Sequence, residues 1–525
     1  MTERPIFLST EKKETIKLTG IMSFSGIVGK IFSIPNAIIT AKFLGPSLYG
    51  VLAIINLIIQ YTGLSSLGIL QGLSRDVPIA YGKGNRAEAD GLKNTVYSSF
   101  SVLSAAALVI LWMLYIFGVT FKGVLSLFTL TFVSLIFVTN RIKTFLESYI
   151  KAEGQFMIIG KQELIIKSLT PVLNIPAVIF FKLKGVLAAM LLMGIVSITF
   201  YFIRLKKPKF QFSLSINKSL QILKTGFVIF VSKLSESIFW SIDMIILTAM
   251  TVTSSVGLYS FALKAIGLGE TFTRGINMTV FRKMMVDGGK HGVTSKEHFK
   301  KYTEHHFVLY LMFHSLILGG GILIYSLIIR TLLPKYFESL PVIIILGFGY
   351  LIYSSRGFMN AYLNVTNQLF KWLFIILCGL GINVALDIFL ILKGYGIQGV
   401  AFACSFSFIF IAFLIIGISF SQIYGSIKTA LCILFKILAI AVILMGIIFV
   451  FSKWDIFDFT SILSSTGQIL WGFADLIIKG LIFSLVCFSI FFLSFPKYRL
   501  HKEIKPIFQY IREMLVGWIK PAKNE

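Results

Sequence analysis

The sequence predicts an all-α integral membrane protein of about 14 transmembrane helices, built as two repeated six-helix bundles plus two C-terminal helices. Three observations predict it. Of the 525 residues, 56% are hydrophobic and only 14% charged, with mean hydropathy +0.86, more apolar surface than a water-soluble chain of this length can hide. Apolar runs of about 20 residues, enough to cross a bilayer as helices, follow one another with short polar breaks. Segments of the first half recur in the second at a nearly constant offset.

The first pair of spans, Leu18 to Phe43 and Tyr49 to Leu73, flanks the run Ala41-Lys42-Phe43-Leu44-Gly45-Pro46-Ser47-Leu48-Tyr49-Gly50. Gly45 and Pro46 cannot continue a helix, so they form a tight turn. A weaker copy, Ser255-Val256-Gly257-Leu258-Tyr259-Ser260, follows the span ending near Met250; Tyr49 matches Tyr259, and Ile31-Phe32 is echoed by Ile238-Phe239. Asn174 to Gly185 (NIPAVIFFKLKG) and Asn383 to Gly394 (NVALDIFLILKG) share six of twelve residues at an offset of 209. Phe145, Tyr149 and Gln155 match Phe358, Tyr362 and Gln368 at an offset of 213. A shared order and offset point to two related bundles in series, the arrangement of transporters with a substrate site between repeats.

The spans fall at roughly 17–43, 48–73, 94–118, 122–140, 157–181, 184–203, 225–250, 257–281, 306–333, 340–363, 370–392, 396–422, 429–451 and 473–495. Residues 1–16 form a polar cytoplasmic tail, and no cleavable signal peptide is expected. Residues 17–203 make the N-terminal bundle, 204–224 a basic cytoplasmic linker and 225–422 the C-terminal bundle. Residues 423–495 supply two additional helices, and 496–525 a basic amphipathic tail suited to the inner leaflet. Pro171 and Pro176 are expected to kink the fifth span.

The net charge of +26 would suit nucleic acid, but its distribution argues against that partner. With the N-terminus inside, most Lys and Arg fall in inside loops and tails, which places both termini in the cytoplasm of a multi-pass protein of the cell (inner or plasma) membrane. Anionic membrane lipids are then the partners of that charge. No Walker-type G-x-x-x-x-G-K-[ST] occurs, nor a nucleophile elbow, a paired-carboxylate loop or a Cys-His arrangement in an aqueous segment, so an enzyme is not expected. Cys378, Cys404, Cys432 and Cys487 all lie in apolar spans, and His291, His298, His305, His306 and His314 lack a ligand pattern, so no disulfide or metal is expected.

Candidate site residues are the polar groups inside spans, where a central charge costs at least about 2.5–3.5 kcal/mol. Ser23, Gly26, Lys30, Ser33 and Ala37 share one face of the first span; Asn56, Gln60, Gly63 and Gln71 nearly do so on the second. Lys233, Glu236 and Asp243 fall on one arc of the seventh span, and Lys264, Glu270 and Arg274 lie in the eighth. Lys167 and Asp387 add charges elsewhere. Lys233 and Arg274 can instead snorkel to headgroups, and Glu270 with Arg274 can be a structural ion pair. The functional reading is a cavity of net positive charge that favours an anionic substrate such as a diphosphate. Glu236, Asp243 and Glu270 could instead bind H⁺ or Na⁺, and the sequence leaves these roles open.

The first-turn run, Ile242-Asp243 followed by Val256-Gly257-Leu258-Tyr259-Ser260, and Gly399-Val400-Ala401 carry a family likeness. The chain resembles the Wzx-type polysaccharide flippases of the MOP (multidrug/oligosaccharidyl-lipid/polysaccharide) superfamily, which includes the MATE transporters. The resemblance implies two six-helix lobes forming a V, alternating access, and a cavity lined by spans 1, 2, 7 and 8. It implies an undecaprenyl-diphosphate-linked oligosaccharide as cargo, turned to the outer leaflet without ATP hydrolysis, with no cofactor beyond an H⁺ or Na⁺ gradient and with polysaccharide polymerase or export machinery as partners. By position, Lys30, Lys264 and Arg274, with Lys233, would face the diphosphate. Two relatives compete: a lipid II flippase, disfavoured by the lack of a dense arginine cluster in the first span, and a MATE-type multidrug/cation antiporter, disfavoured by the two extra spans and the positive balance. A scaffold that moves nothing has no reason to bear the intramembrane charges.

Overall fold

The computed structural model describes residues 7–121, 123–205, 210–267, 296–366, 368–453 and 465–494, all helix, turn or connection with no strand among them. The helices are α1 (Phe7–Gly63), α2 (Ile69–Gly82), α3 (Arg86–Ile116), α4 (Leu127–Ala152), α5 (Phe156–Arg204), α6 (Ile216–Phe239), α7 (Ile242–Met250), α8 (253–267), α9 (Lys296–Leu332), α10 (Ser339–Val365), α11 (Leu369–Leu392), α12 (Gly396–Tyr424), α13 (Ile427–Lys453) and α14 (Ser465–Ser494). Among the described residues, ten helices are long and apolar enough to cross a membrane.

The first two spans run end to end as α1 and part at Gly45, whose φ of 69° and ψ of 171° form a conformation open essentially to glycine alone. Pro46 then starts the next helix with its fixed φ. The fifth and sixth spans part in the same way within α5, at Lys182 with φ 49° and ψ −128°. The backbone leaves helical dihedrals nowhere else in α5, so Pro171 and Pro176 do not break the dihedral run of the expected span.

Two breaks run against the sequence expectation. The second span is interrupted after Gly63 by a 3₁₀ turn, with Leu67 and Gly68 both at positive φ, and the chain expected to be loop from Ser74 is helical to Gly82. The seventh span is interrupted at Trp240 and Ser241, between α6 and α7. The linker is shorter than expected, since α6 begins at Ile216. The C-terminal tail after residue 494 lies outside the described residues.

The chain forms two compact units. One comprises Met1–Lys264, Leu332–Val342 and Ile376–Ala403. In it α5 packs along α1 and α4, and α2 packs against α3 and α6 around buried Ile69, Leu70, Val77, Phe100, Leu146 and Ile222. Gly50 and Gly257 bring α1 and α8 into backbone contact: a methyl group on Gly50 would lie 1.9 Å from the Thr253 carbonyl oxygen, and one on Gly257 would lie 2.0 Å from that of Pro46. Close backbone approach through small residues is how helices associate where lipid supplies no hydrophobic drive.

A polar clasp fixes the ends of α2, α3 and α4. The Lys93 ammonium lies 2.6 Å from Asp90 and 2.9 Å from Glu153, and donates to the Tyr81 hydroxyl at 2.9 Å. Tyr81 in turn donates to Glu153 at 2.8 Å. Lys93→Met would leave the half-buried Glu153 carboxylate without its cation, held by Tyr81 alone, and is expected to lower stability by about 1–3 kcal/mol. Thermal unfolding of the purified variant in detergent measures it, and an unchanged midpoint would show the clasp to be idle.

The other unit comprises Ala265–Thr331, Ile343–Ile375 and Cys404–Glu525. Here α13 packs on α14, and Phe483 sits over Gly319 of α9. His314 is fully buried and packs with Tyr310 and Tyr350, while Tyr350 and Tyr353 pack on Phe408. The Ser405 hydroxyl donates to the Ile345 carbonyl at 2.6 Å. The four cysteines are free thiols, and no metal-ligating group forms among the described residues.

Candidate functional site

Two repeat-related tyrosines each hold one charged residue of the first unit. Tyr49 is 1% exposed and follows the Gly45 turn; its hydroxyl accepts from Lys264 Nζ at 3.1 Å, and the ammonium stands 4.7 Å from its ring centroid. Phe261 and Tyr336 pack edge-on against Tyr49 and fix it, and Tyr336 donates to the Ala41 carbonyl at 3.1 Å. Lys264 itself is exposed, so a buried aromatic holds an accessible cation by cation–π attraction and one hydrogen bond. Tyr259, fully buried on α8, donates a short hydrogen bond to Asp243 Oδ2.

Asp243 opens α7 directly after the break at Ser241 and is 2% exposed. Asn383 Nδ2 of α11 donates to its Oδ1 at 2.5 Å. Asp387, one helical turn beyond Asn383 and also fully buried, has its carboxyl beside that of Asp243. Neither Asp387 oxygen has a hydrogen-bond partner. The result is a buried carboxyl pair in which only Asp243 is solvated by neighbours.

The first half carries the same framework without the charges. Asn174 Nδ2 donates to Asn36 Oδ1 at 2.8 Å and to Thr40 at 3.0 Å, joining α5 to α1. Asn174 is the repeat counterpart of Asn383. Asn36 stands to Asp243 at the 207-residue offset that also relates Phe32 to Phe239. The same interhelical bond therefore recurs in both halves, as Asn174 to Asn36 and as Asn383 to Asp243. Val178 occupies the position of Asp387.

Other expected site residues are more scattered. Lys233 and Glu236 are exposed on α6, and the break at Trp240 separates them from buried Asp243, so the three do not share one continuous arc. Gln60 is exposed and donates to the Ser237 hydroxyl at 2.8 Å, with Tyr61 and Ser241 in contact at 2.7 Å beside it; these bonds tie α1 to α6 and to the break before α7. Asn56 is half-buried on α1, and Ser33 is exposed. Lys30 and Ser23 lie on α1 with side chains outside the described set, and Glu270 and Arg274 lie outside the described residues. Tyr259, Asn383 and the Asn36–Asn174 pair were not expected at a site. The spacing of Asn383 and Asp387, four residues apart on one helical face, was the available signal.

Long apolar helices, broken spans and buried carboxyls define a multi-pass membrane protein. The chain belongs to the polysaccharide biosynthesis protein family, whose model matches residues 16–281. Among solved structures it is similar to the lipid II flippase MurJ in an inward closed conformation, at 18% identity and TM-score 0.63, covering 91% of this chain and 99% of that one. It is also similar to an inward-facing multidrug resistance MATE family transporter of the MOP superfamily, at 15% identity and TM-score 0.56, covering 79% and 94%. No curated protein sequence matches the chain.

Proposed function

We propose that this protein moves an undecaprenyl-diphosphate-linked oligosaccharide from the cytoplasmic to the outer leaflet by alternating access, for cell-surface polysaccharide biosynthesis. The observation that carries the reading is the accessible Lys264 ammonium on Tyr49, in a family described by polysaccharide biosynthesis. A fixed cation inside an apolar protein attracts a diphosphate and leaves the sugars free to vary. Lys30, Arg274 and Lys233 extend the cationic lining in this proposal. Residues 17–203 and 225–422 are the two bundles, and both termini are cytoplasmic. An H⁺ or Na⁺ gradient drives the cycle through Asp243, with Glu236 and Glu270 as further acidic groups. Polymerase or export machinery receives the product.

The lipid II flippase likeness, which spans nearly the whole of that chain, supports a related cargo as the second reading. The test is a liposome flipping assay with a fluorescent undecaprenyl-diphosphate sugar, comparing wild type with Lys264→Ala and Lys30→Ala. Lys264→Ala is expected to slow transfer about tenfold or more, the loss of one charge-assisted contact to the diphosphate, with the folded yield unchanged. Transfer unaffected by both substitutions would remove the cationic assignment. Preference for lipid II would favour the second reading, and efflux of cationic dyes without lipid transfer would favour a MATE-type antiporter.

A further inference from the structure

Arg141 is 5% exposed on α4 and sits at the wall of an apolar cavity of about 460 Å³. Its Nε donates to the Ser104 hydroxyl at 2.9 Å and its Nη1 to the Gly63 carbonyl, at the end of α1, at 2.6 Å. The guanidinium lies over the Phe100 ring at 4.1 Å. Capping α1 accounts for those contacts, but Nη2 has no partner. Among the described residues, no carboxylate forms an ion pair with Arg141. A buried cation whose charge nothing balances calls for an anion.

The cavity sets the chemistry of that anion. Phe100, Leu108, Phe137, Phe145, Ile198 and Phe202 line it, and its volume is in the range of sites that hold drug-sized ligands, about 300–1,000 Å³. Its rim includes Ala105, Val138, Ile142 and Phe202, all exposed and apolar. A mouth of that composition opens onto hydrocarbon rather than water. A free anion has no use for the apolar chamber, and a neutral alkyl chain leaves the guanidinium unpaired. We propose that the cavity binds the apolar chain of a phosphate-headed membrane lipid, with a head-group oxygen on the Arg141 guanidinium. The site shares no residue with the Lys264 and Asp243 groups, and so adds a bound lipid to the transporter beyond its cargo.

The test reconstitutes the full chain in phosphatidylcholine nanodiscs containing a few per cent of phosphatidic acid with a diazirine in its acyl chain. After irradiation, labelled peptides are mapped by mass spectrometry. Label is expected on 97–108, 137–146 and 198–202. It should fall about tenfold with the matching diacylglycerol probe or with Arg141→Gln, as expected for loss of one charge-assisted contact. Millimolar inorganic phosphate should leave it unchanged. Ala105→Trp, which fills the mouth and leaves Arg141 intact, should remove it, and this variant together with the diacylglycerol comparison decides the matter if Arg141→Gln does not fold. Equal labelling by diacylglycerol, displacement by inorganic phosphate, or labelling that survives Ala105→Trp would each overturn the proposal.

Discussion

Gly257→Val is expected to abolish the folded protein, and Gly257→Ala or Gly50→Ala to destabilise it by at least about 3 kcal/mol. The reason is where the new atom would go. A methyl carbon at Gly257 would stand 2.0 Å from the Pro46 carbonyl oxygen and 2.9 Å from the Gly50 nitrogen. One at Gly50 would stand 1.9 Å from the Thr253 oxygen and 3.0 Å from the Gly257 nitrogen. Both obstacles are backbone, so no rotamer change relieves them, and α1 and α8 must separate. Separation would also release Tyr49 from Phe261 and Lys264, which depend on that approach. The control is Gly91→Ala in α3, which meets nothing within 4 Å and should be neutral or stabilise by about 0.5–1 kcal/mol through helix propensity. Size-exclusion profiles and thermal midpoints in detergent measure all of them. A Gly257→Ala protein that melts with the wild type would mean that α1 and α8 do not touch there.

Those two glycines belong to the pair of turns that the sequence already singled out, and the reason is local. Gly45-Pro46 excludes a continuous helix by itself, so the first hairpin was legible without any tertiary knowledge. The breaks at 64–68 and 240–241 were not. Hydropathy runs unbroken through Leu64, Leu67 and Ile69, and through Phe239, Trp240 and Ile242, and hydropathy carries no information about φ. The loss of the Lys233–Glu236–Asp243 arc follows from the second break, because helical periodicity holds only while the helix does.

The tyrosines show the other boundary. Tyr49 and Tyr259 were recognisable as repeat partners, but what each holds was not. Lys264 reaches Tyr49 across 215 positions, and Asn383 reaches Asp243 across 140. No periodicity within one helix encodes such a bond. The repeat itself held part of the answer: Asn174 and Asn383 were aligned from sequence, and each proves to make the bond that joins its own half together. The divergence of that framework, Asn36 to Asp243 and Val178 to Asp387, places ionisable groups in one half only.

Replacing Asp387 should therefore raise stability while removing transport. Its two oxygens are buried without a hydrogen-bond partner and beside a second carboxyl. Two carboxyls buried side by side disfavour each other's ionised form, and a buried orphan polar group costs about 1–3 kcal/mol. Valine already fills the equivalent position in the first half, so Asp387→Val has a packing precedent within the same chain. Asp387→Val and Asp387→Asn are expected to melt at or above the wild-type temperature. Both should lose gradient-driven flipping by at least about tenfold if the proposed cycle runs through this pair, which then can no longer gain and release a cation. Asp243→Asn should lose flipping equally but gain less stability, since Tyr259 and Asn383 already satisfy that carboxylate. Thermal midpoints in detergent, with flipping measured in liposomes under an imposed pH or Na⁺ gradient, separate the cases. A structural role for Asp387 requires the opposite pattern, a lower melting point with flipping retained by the protein that still folds.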